Sequence, residues 1–352
     1  MKRKKMRIAV TGMNASDSPG PGVPVIRAIR SAEGFDGEIV GFSYDPLDPG
    51  NYMDTLCDHV YLFSYPSEGS PALLDRIRAV HEETPLDAII PTLDSELSAY
   101  IAIKDDLAAL GIGTFLPSKQ DLEVRSKARF AEMGERLGIR VPRGKSVTDP
   151  SYFLKMDREL AYPVMVKGQF YEAYMAYSPM EAEHHFRVLG AKWGLPVVVQ
   201  EFIVGDEYDI VALGDGKGGL IGAVPMKKMQ LTDKGKAWGG VTIRDPQMND
   251  FVRDAMARLK WRGPCEFEVM KSGKDGAYYL IELNPRFPAW CYLAVGAGQN
   301  LPWAAVCLAR GEDVAAFGDY SVGVMFIRNS IDRIYPLADY QELTVRGELH
   351  KK

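Results

Sequence analysis

The sequence predicts an α/β protein of several parts: an N-terminal block built on a parallel sheet, then a mixed α+β region with antiparallel strands. Three observations carry this. Residues 7–115 alternate short apolar runs with helical stretches, the pattern of βαβ units. From Ser118 the runs come closer together, and turns such as Gly214–Gly219 are short and Gly-rich, as antiparallel hairpins require. At 352 residues the chain is also too long for one ordinary domain.

In the first block, Arg7–Thr11, Glu38–Tyr44, Asp87–Pro91 and Gly113–Leu116 read as strands. Val23–Ser31, Leu73–Thr84 and Leu97–Leu110 read as helices. Gly12, Gly20 and Gly22 follow the first strand, but the loop is long and broken by prolines, a weak match to the tight G-x-G-x-x-G turn of a dinucleotide site.

In the second region, Lys119–Leu137 reads as a charged helix stopped by Gly138, and Pro150–Arg158 as a short helix. Tyr162–Lys167 is a strand ending in lysine, Pro179–Leu189 a helix, and Pro196–Phe202 a strand leading to Gly205-Asp206-Glu207. Tyr208–Leu213 and Leu220–Met226 flank the Gly-rich hairpin. Phe251, Val252, Ala255, Met256 and Leu259 form the apolar stripe of a helix over Pro246–Lys260. A helix over Leu301–Leu308, a strand over Val322–Arg328 and a polar tail complete the chain.

Composition narrows the function classes. A net charge of −5 argues against nucleic acid as the main partner, which normally demands a basic face. No apolar run approaches the ~20 residues of a membrane span. Cys57, Cys265, Cys291 and Cys307 show no CxxC or disulfide-rich spacing, so a reducing cytoplasm is the expected setting. Cys265 alternates with Glu266 and is read as core, while His184 and His185 are read as surface residues of a helix away from every motif.

The most pointed chemistry lies between Gly263 and Arg286. GPCEFEV and YYLIELNPR read as two strands around a turn at Lys271–Gly276. Residues two apart share a strand face, so Glu282 and Asn284 point one way, as do Glu266 and Glu268. Antiparallel pairing would gather oxygen ligands on one surface, with Arg286 just beyond. Charges on a strand are ordinarily its solvated face, yet Tyr278-Tyr279-Leu280-Ile281 is too apolar for an edge strand. Oxygen ligands without His or Cys suit Mg²⁺, which usually keeps nucleotide phosphates as further ligands.

YPVMVK, VVVQEFIVGDEYDI, RGPCEFEV and YYLIELNPR, in that order, resemble the ATP-grasp superfamily, with biotin carboxylase and the carbamoyl-phosphate synthetase large subunit nearest in character. The resemblance covers roughly residues 118–310. IPTLDSEL, residues 90–97, is similar to a segment that many of these ligases carry at the end of a preceding domain. It implies a pre-ATP-grasp domain over 1–117, a small lobe over 118–200 with a phosphate-covering loop, and a large lobe over 201–352 with the metal site.

The resemblance also implies roles. Lys127 and Lys167 would approach the nucleotide phosphates. Glu201, Phe202 and Ile203 would meet the adenine edge, and Glu207 the ribose hydroxyls. Glu266, Glu282 and Asn284 would hold Mg²⁺, or Mn²⁺ in its place, and Arg286 would steady the transferred phosphoryl group. The implied activity is an ATP-dependent carboxylate–amine ligase working through an acyl phosphate on small-molecule or peptide substrates, with a homodimer as one arrangement. A kinase, a carboxylating enzyme and a nucleotide-binding regulator without turnover are the alternatives. One departure stands out: after Lys167 the family usually has a glycine-rich loop, whereas Gly168–Tyr177 carries one glycine and three tyrosines. Lys227, Lys228 and Arg244 are further candidates for phosphate or a substrate carboxylate, and Phe287, Trp290 and Tyr292 put aromatic walls beside the metal site.

Overall fold

Apolar runs become central strands where both faces of a sheet are covered. In the computed structural model they form β1 (Arg7–Thr11), α1 (Gly22–Arg30), β2 (Glu38–Ser43), β3 (His59–Leu62), α2 (Ser70–Glu83), β4 (Ala88–Ile90), α3 (Leu97–Ala102) and α4 (Lys104–Ala109). The structure describes residues 5–16, 19–124, 129–168, 172–232 and 237–351. β1 pairs in parallel with β2 and β4, and β2 with β3, so the expected parallel sheet forms. Ile8, Val10, Ile39, Val40 and Ile89 have no exposed surface.

Two expectations differ in detail here. Leu97–Leu110 is two helices, because Ile103 leaves helical geometry at φ −102° and ψ 7°. Gly113–Leu116 is not a strand; it makes a single parallel bridge, Gly113 to Ala88.

The next elements are α5 (Lys119–Val124), α6 (Phe130–Leu137), β5 (Gly144–Val147), β6 (Val164–Lys167), β7 (Ala173–Ala176), α7 (Pro179–Trp193) and β8 (Val197–Glu201). Lys127 lies outside the described residues. Gly138 ends α6 at φ 62°, the left-handed geometry that glycine adopts without strain. Pro150–Arg158 forms two 3₁₀ turns rather than one helix, started by the Asp149 carboxylate accepting from Ser151 N. β5, β8, β6 and β7 make an antiparallel sheet in that order. Its buried face, with Val164, Val166 and Val199, packs on Phe153, Phe186 and Leu189.

β9 (Gly205–Asp215), β10 (Leu220–Leu231), β11 (Ala237–Thr242), α8 (Pro246–Leu259), β12 (Arg262–Ser272) and β13 (Tyr278–Asn284) follow. α9 (Tyr292–Gly296), α10 (Leu301–Ala309), β14 (Met325–Ile327), α11 (Leu337–Arg346) and β15 (Glu348–His350) end the chain. A six-stranded sheet runs β13-β12-β9-β10-β11-β14. β15, in the tail, is an antiparallel addition to β3, so the first sheet runs β15-β3-β2-β1-β4.

The chain divides into two compact bodies. One comprises Met1–Lys119, Asp209–Glu266 and Asn284–Lys352; the other Gln120–Tyr208 and Phe267–Leu283. No helix among the described residues is long and apolar enough to cross a membrane.

The loop after β1 has a tight requirement. A Cβ on Gly22 would sit 2.1 Å from the Thr11 carbonyl oxygen and 2.2 Å from that of Gly12. Neither backbone atom can give way easily, so Gly22→Ala is expected to cost about 3 kcal/mol, the upper range of overpacking. Urea unfolding checks this, and unchanged stability would show that the loop is free to move.

Candidate functional site

β12 buries Glu266, the last residue of the Asp209–Glu266 stretch of the first body, next to the fully buried Cys265. A carboxylate in such surroundings must be hydrogen-bonded. Its Oε2 accepts from Asn284 Nδ2 at 3.1 Å and from Arg286 Nη1 at 2.9 Å. Its Oε1 accepts from Trp290 Nε1 at 2.7 Å. Arg286 also donates through Nε to Asp94 Oδ2 at 2.8 Å. Burial opposes the guanidinium charge, but Asp94 and Glu266 outweigh it and hold the Arg286 pKa above the ordinary arginine value.

Asp94 is positioned by Glu96, a fully buried carboxylate. Glu96 Oε1 accepts from Thr92 N at 2.8 Å, from Leu93 N at 2.9 Å and from the Thr11 hydroxyl; Oε2 accepts from Tyr44. Burial raises the pKa of Glu96 against these bonds. The residue thus ties the ends of β1 and β2 to the loop after β4.

The other expected residues in this body serve different ends. Lys228 is buried and paired with Asp209 at 3.2 Å, while Arg244 makes an exposed pair with Asp319 at 3.6 Å. Phe287 is buried and Tyr292 exposed. Cys265 is core as expected, and burial drives its thiol pKa up.

In the second body, Lys167 ends β6, half-buried. Glu201 ends β8, and its carboxylate accepts from Arg143 Nε at 3.1 Å. Phe202 and Ile203 connect β8 to β9, where Glu207 is half-buried; Glu282 is half-buried on β13. Within Gly168–Tyr177, residues 169–171 lie outside the described set. Gly168 N donates to Glu172 O at 3.0 Å, and Glu172 takes φ 65°, a strained value for a residue with a Cβ. Its carboxylate is held by Lys192 and by Trp193 Nε1. Tyr174 stacks on His185 at 4.9 Å, so that histidine has a partner in the hairpin after Lys167.

Residues 195–326 match the family model described as ATP-grasp in the biosynthetic pathway with Ter operon. The solved biotin carboxylase of Campylobacter jejuni superposes with a TM-score of 0.70 over 90% of this chain and 73% of that one, at 16% identity. The chain has the ATP-grasp fold. The L-amino acid ligase of Bacillus licheniformis shares it, with a TM-score of 0.63 over 88% of this chain and 75% of that one, at 18% identity. The phosphoribosylamine–glycine ligase of Arabidopsis thaliana is 26% identical over 62% of this chain and 46% of its own length. The chain spans about half the length of the first curated relatives it matches.

Against this ATP-grasp background, the structure joins Glu266, Asn284 and Arg286 as the strand spacing suggests, and adds two residues. Trp290 reads in sequence as a wall but donates to the central carboxylate. Asp94 belongs to the IPTLDSEL segment, yet nothing local says that it pairs with an arginine 192 residues away. The donor set also fits a hard cation. A carboxylate has about four acceptor positions, and Glu266 uses three of them on Asn284, Arg286 and Trp290.

Two substitutions probe the cluster. Arg286→Met leaves two carboxylates without their cation and is expected to destabilise by about 3 kcal/mol. Trp290→Phe removes one donor and is expected to cost about 1–2 kcal/mol. Denaturant unfolding measures both; equal, negligible losses would mean the cluster is not stabilised by its charges.

Proposed function

We propose that the protein is an ATP- and Mg²⁺-dependent carboxylate–amine ligase acting through an acyl phosphate. The observation that carries the reading is Arg286, fixed by Asp94 and Glu266 beside Asn284. Support comes from the match to an ATP-grasp family model and from relatives named as ligases of amino acids and of phosphoribosylamine with glycine.

In this reading Glu266, Glu282 and Asn284 hold the metal. Mg²⁺ supplies charge neutralisation to the β- and γ-phosphates, the main demand of phosphoryl transfer. Lys127 and Lys167 hold phosphate oxygens, Glu201, Phe202 and Ile203 meet the adenine edge, and Glu207 binds the ribose. A substrate carboxylate oxygen attacks the γ-phosphorus, the bond to the β–γ bridging oxygen breaks, and ADP leaves. The amine nitrogen then attacks the acyl carbon, loses a proton, and phosphate departs. Arg286, unable to give up its proton, keeps its charge on the transferred group throughout.

Arg328 is proposed as the anchor for the substrate carboxylate. It is a half-buried arginine whose own Nε is buried and lacks a hydrogen-bond partner among the described residues, while Nη2 donates to the Ala289 carbonyl at 2.9 Å. Burial pulls its pKa below the ordinary arginine value, so an arriving anion would restore lost solvation.

A screen of amino acids, dipeptides and other carboxylates for ADP release tests the reading. ADP formation that needs both a carboxylate and an amine is expected; a phosphorylated product without an amine would indicate a kinase instead. Glu282→Gln should abolish turnover with the fold intact, and retained activity would remove that residue from the metal set. Arg328→Gln should raise KM for the carboxylate at least tenfold with a smaller change in kcat.

A further inference from the structure

We propose a second divalent-cation site, formed by Glu83, Glu348 and His350 where the last strand joins the first sheet. His350 Nε2 lies 3.4 Å from Glu83 Oε1 and 3.9 Å from Glu348 Oε2. Both distances are long for N–H···O hydrogen bonds, which cluster near ~2.9 Å. The Glu83 separation suits two donors around a cation, since ligands ~2.1 Å from a tetrahedral centre stand about 3.4 Å apart, and the Glu348 carboxylate lies within a small side-chain rotation of the same distance. The ligand-capable atoms of the three residues all lie within 4.8 Å of one another.

The local structure brings these groups together for separate reasons. Glu348 and His350 are two apart on β15 and share a face. Glu83 is the last residue of α2, where the carbonyl end of the helix disfavours a carboxylate and a cation would relieve it. All three are partly exposed, so an ion and its waters can enter.

The second histidine gives the site its orientation. His59 is the cross-strand partner of His350, and their Nδ1 atoms lie 2.8 Å apart, a true hydrogen-bond distance. Coordination through Nε2 requires the His350 proton on Nδ1, which donates to His59 Nδ1. The His59 proton then lies on Nε2, facing Glu38 Oε2 at 3.8 Å. This tautomer assignment satisfies the His350–His59 hydrogen bond and makes His59 the outer partner that fixes the ligating ring. One imidazole with two carboxylates suits Zn²⁺ or Mn²⁺.

The full chain, without a histidine tag and freed of metal by chelation, is titrated with Zn²⁺ by calorimetry and thermal unfolding. Binding should raise Tm by about 5 °C with Zn²⁺ ~100-fold above its Kd. Glu83→Gln, at an exposed helix end, and His350→Gln should each abolish that shift. His59→Gln should weaken Zn²⁺ binding about 10–100-fold. No Zn²⁺-dependent shift in the parent protein, or one that survives Glu83→Gln, would overturn the site. The second result would place the ion elsewhere, such as the ATP-grasp centre. Unchanged affinity in His59→Gln would overturn the orienting role.

Discussion

The centre of the molecule's chemistry rests on one guanidinium shared by two carboxylates. Glu266 sits among core residues, where an isolated carboxylate would be strongly disfavoured. Arg286, Asn284 and Trp290 make its burial tolerable, and Asp94 fixes the other side of Arg286. Glu266 and Asp94 thus grip the same guanidinium from two sides. Strand, loop and helix-leading segment must all be in place before this balance exists.

Glu96 plays the corresponding part beneath it. Four donors from three segments converge on one buried carboxylate, and the loop carrying Asp94 takes its shape from them. The first block is therefore more than a neighbour of the ATP-grasp region in sequence. Its loop after β4 provides a charge to the cluster that β12 and the segment after β13 complete.

Much of this was legible in the chain. Apolar runs announced β1, β2, β4, β6 and β8, and strand period placed Glu282 with Asn284 and singled out Glu266. Less legible were elements whose existence depends on partners. β3 opens on His59 and has only Val60-Tyr61-Leu62 as its apolar run, too short to stand out beside a turn; it forms because β2 lies beside it. β15 is a three-residue polar strand that exists only through β3. Within 97–110 the helical pattern continues through Ile103, and only the observed backbone reveals the break. At the site, Asp94 and Trp290 could not be assigned because their partners are distant in sequence, and the Tyr174–His185 stack joins a hairpin to a helix face read as solvent.

β15 also changes what the first sheet offers to other molecules. Without it, β3 would end the sheet and present a row of unpaired N–H and C=O groups, the template on which foreign strands add. Three residues of tail cap that row, with His350 opposite His59 and Glu348 opposite Tyr61. β15 thus replaces a longer apolar edge with a three-residue one that carries Glu348 and His350, a poorer template for a further strand.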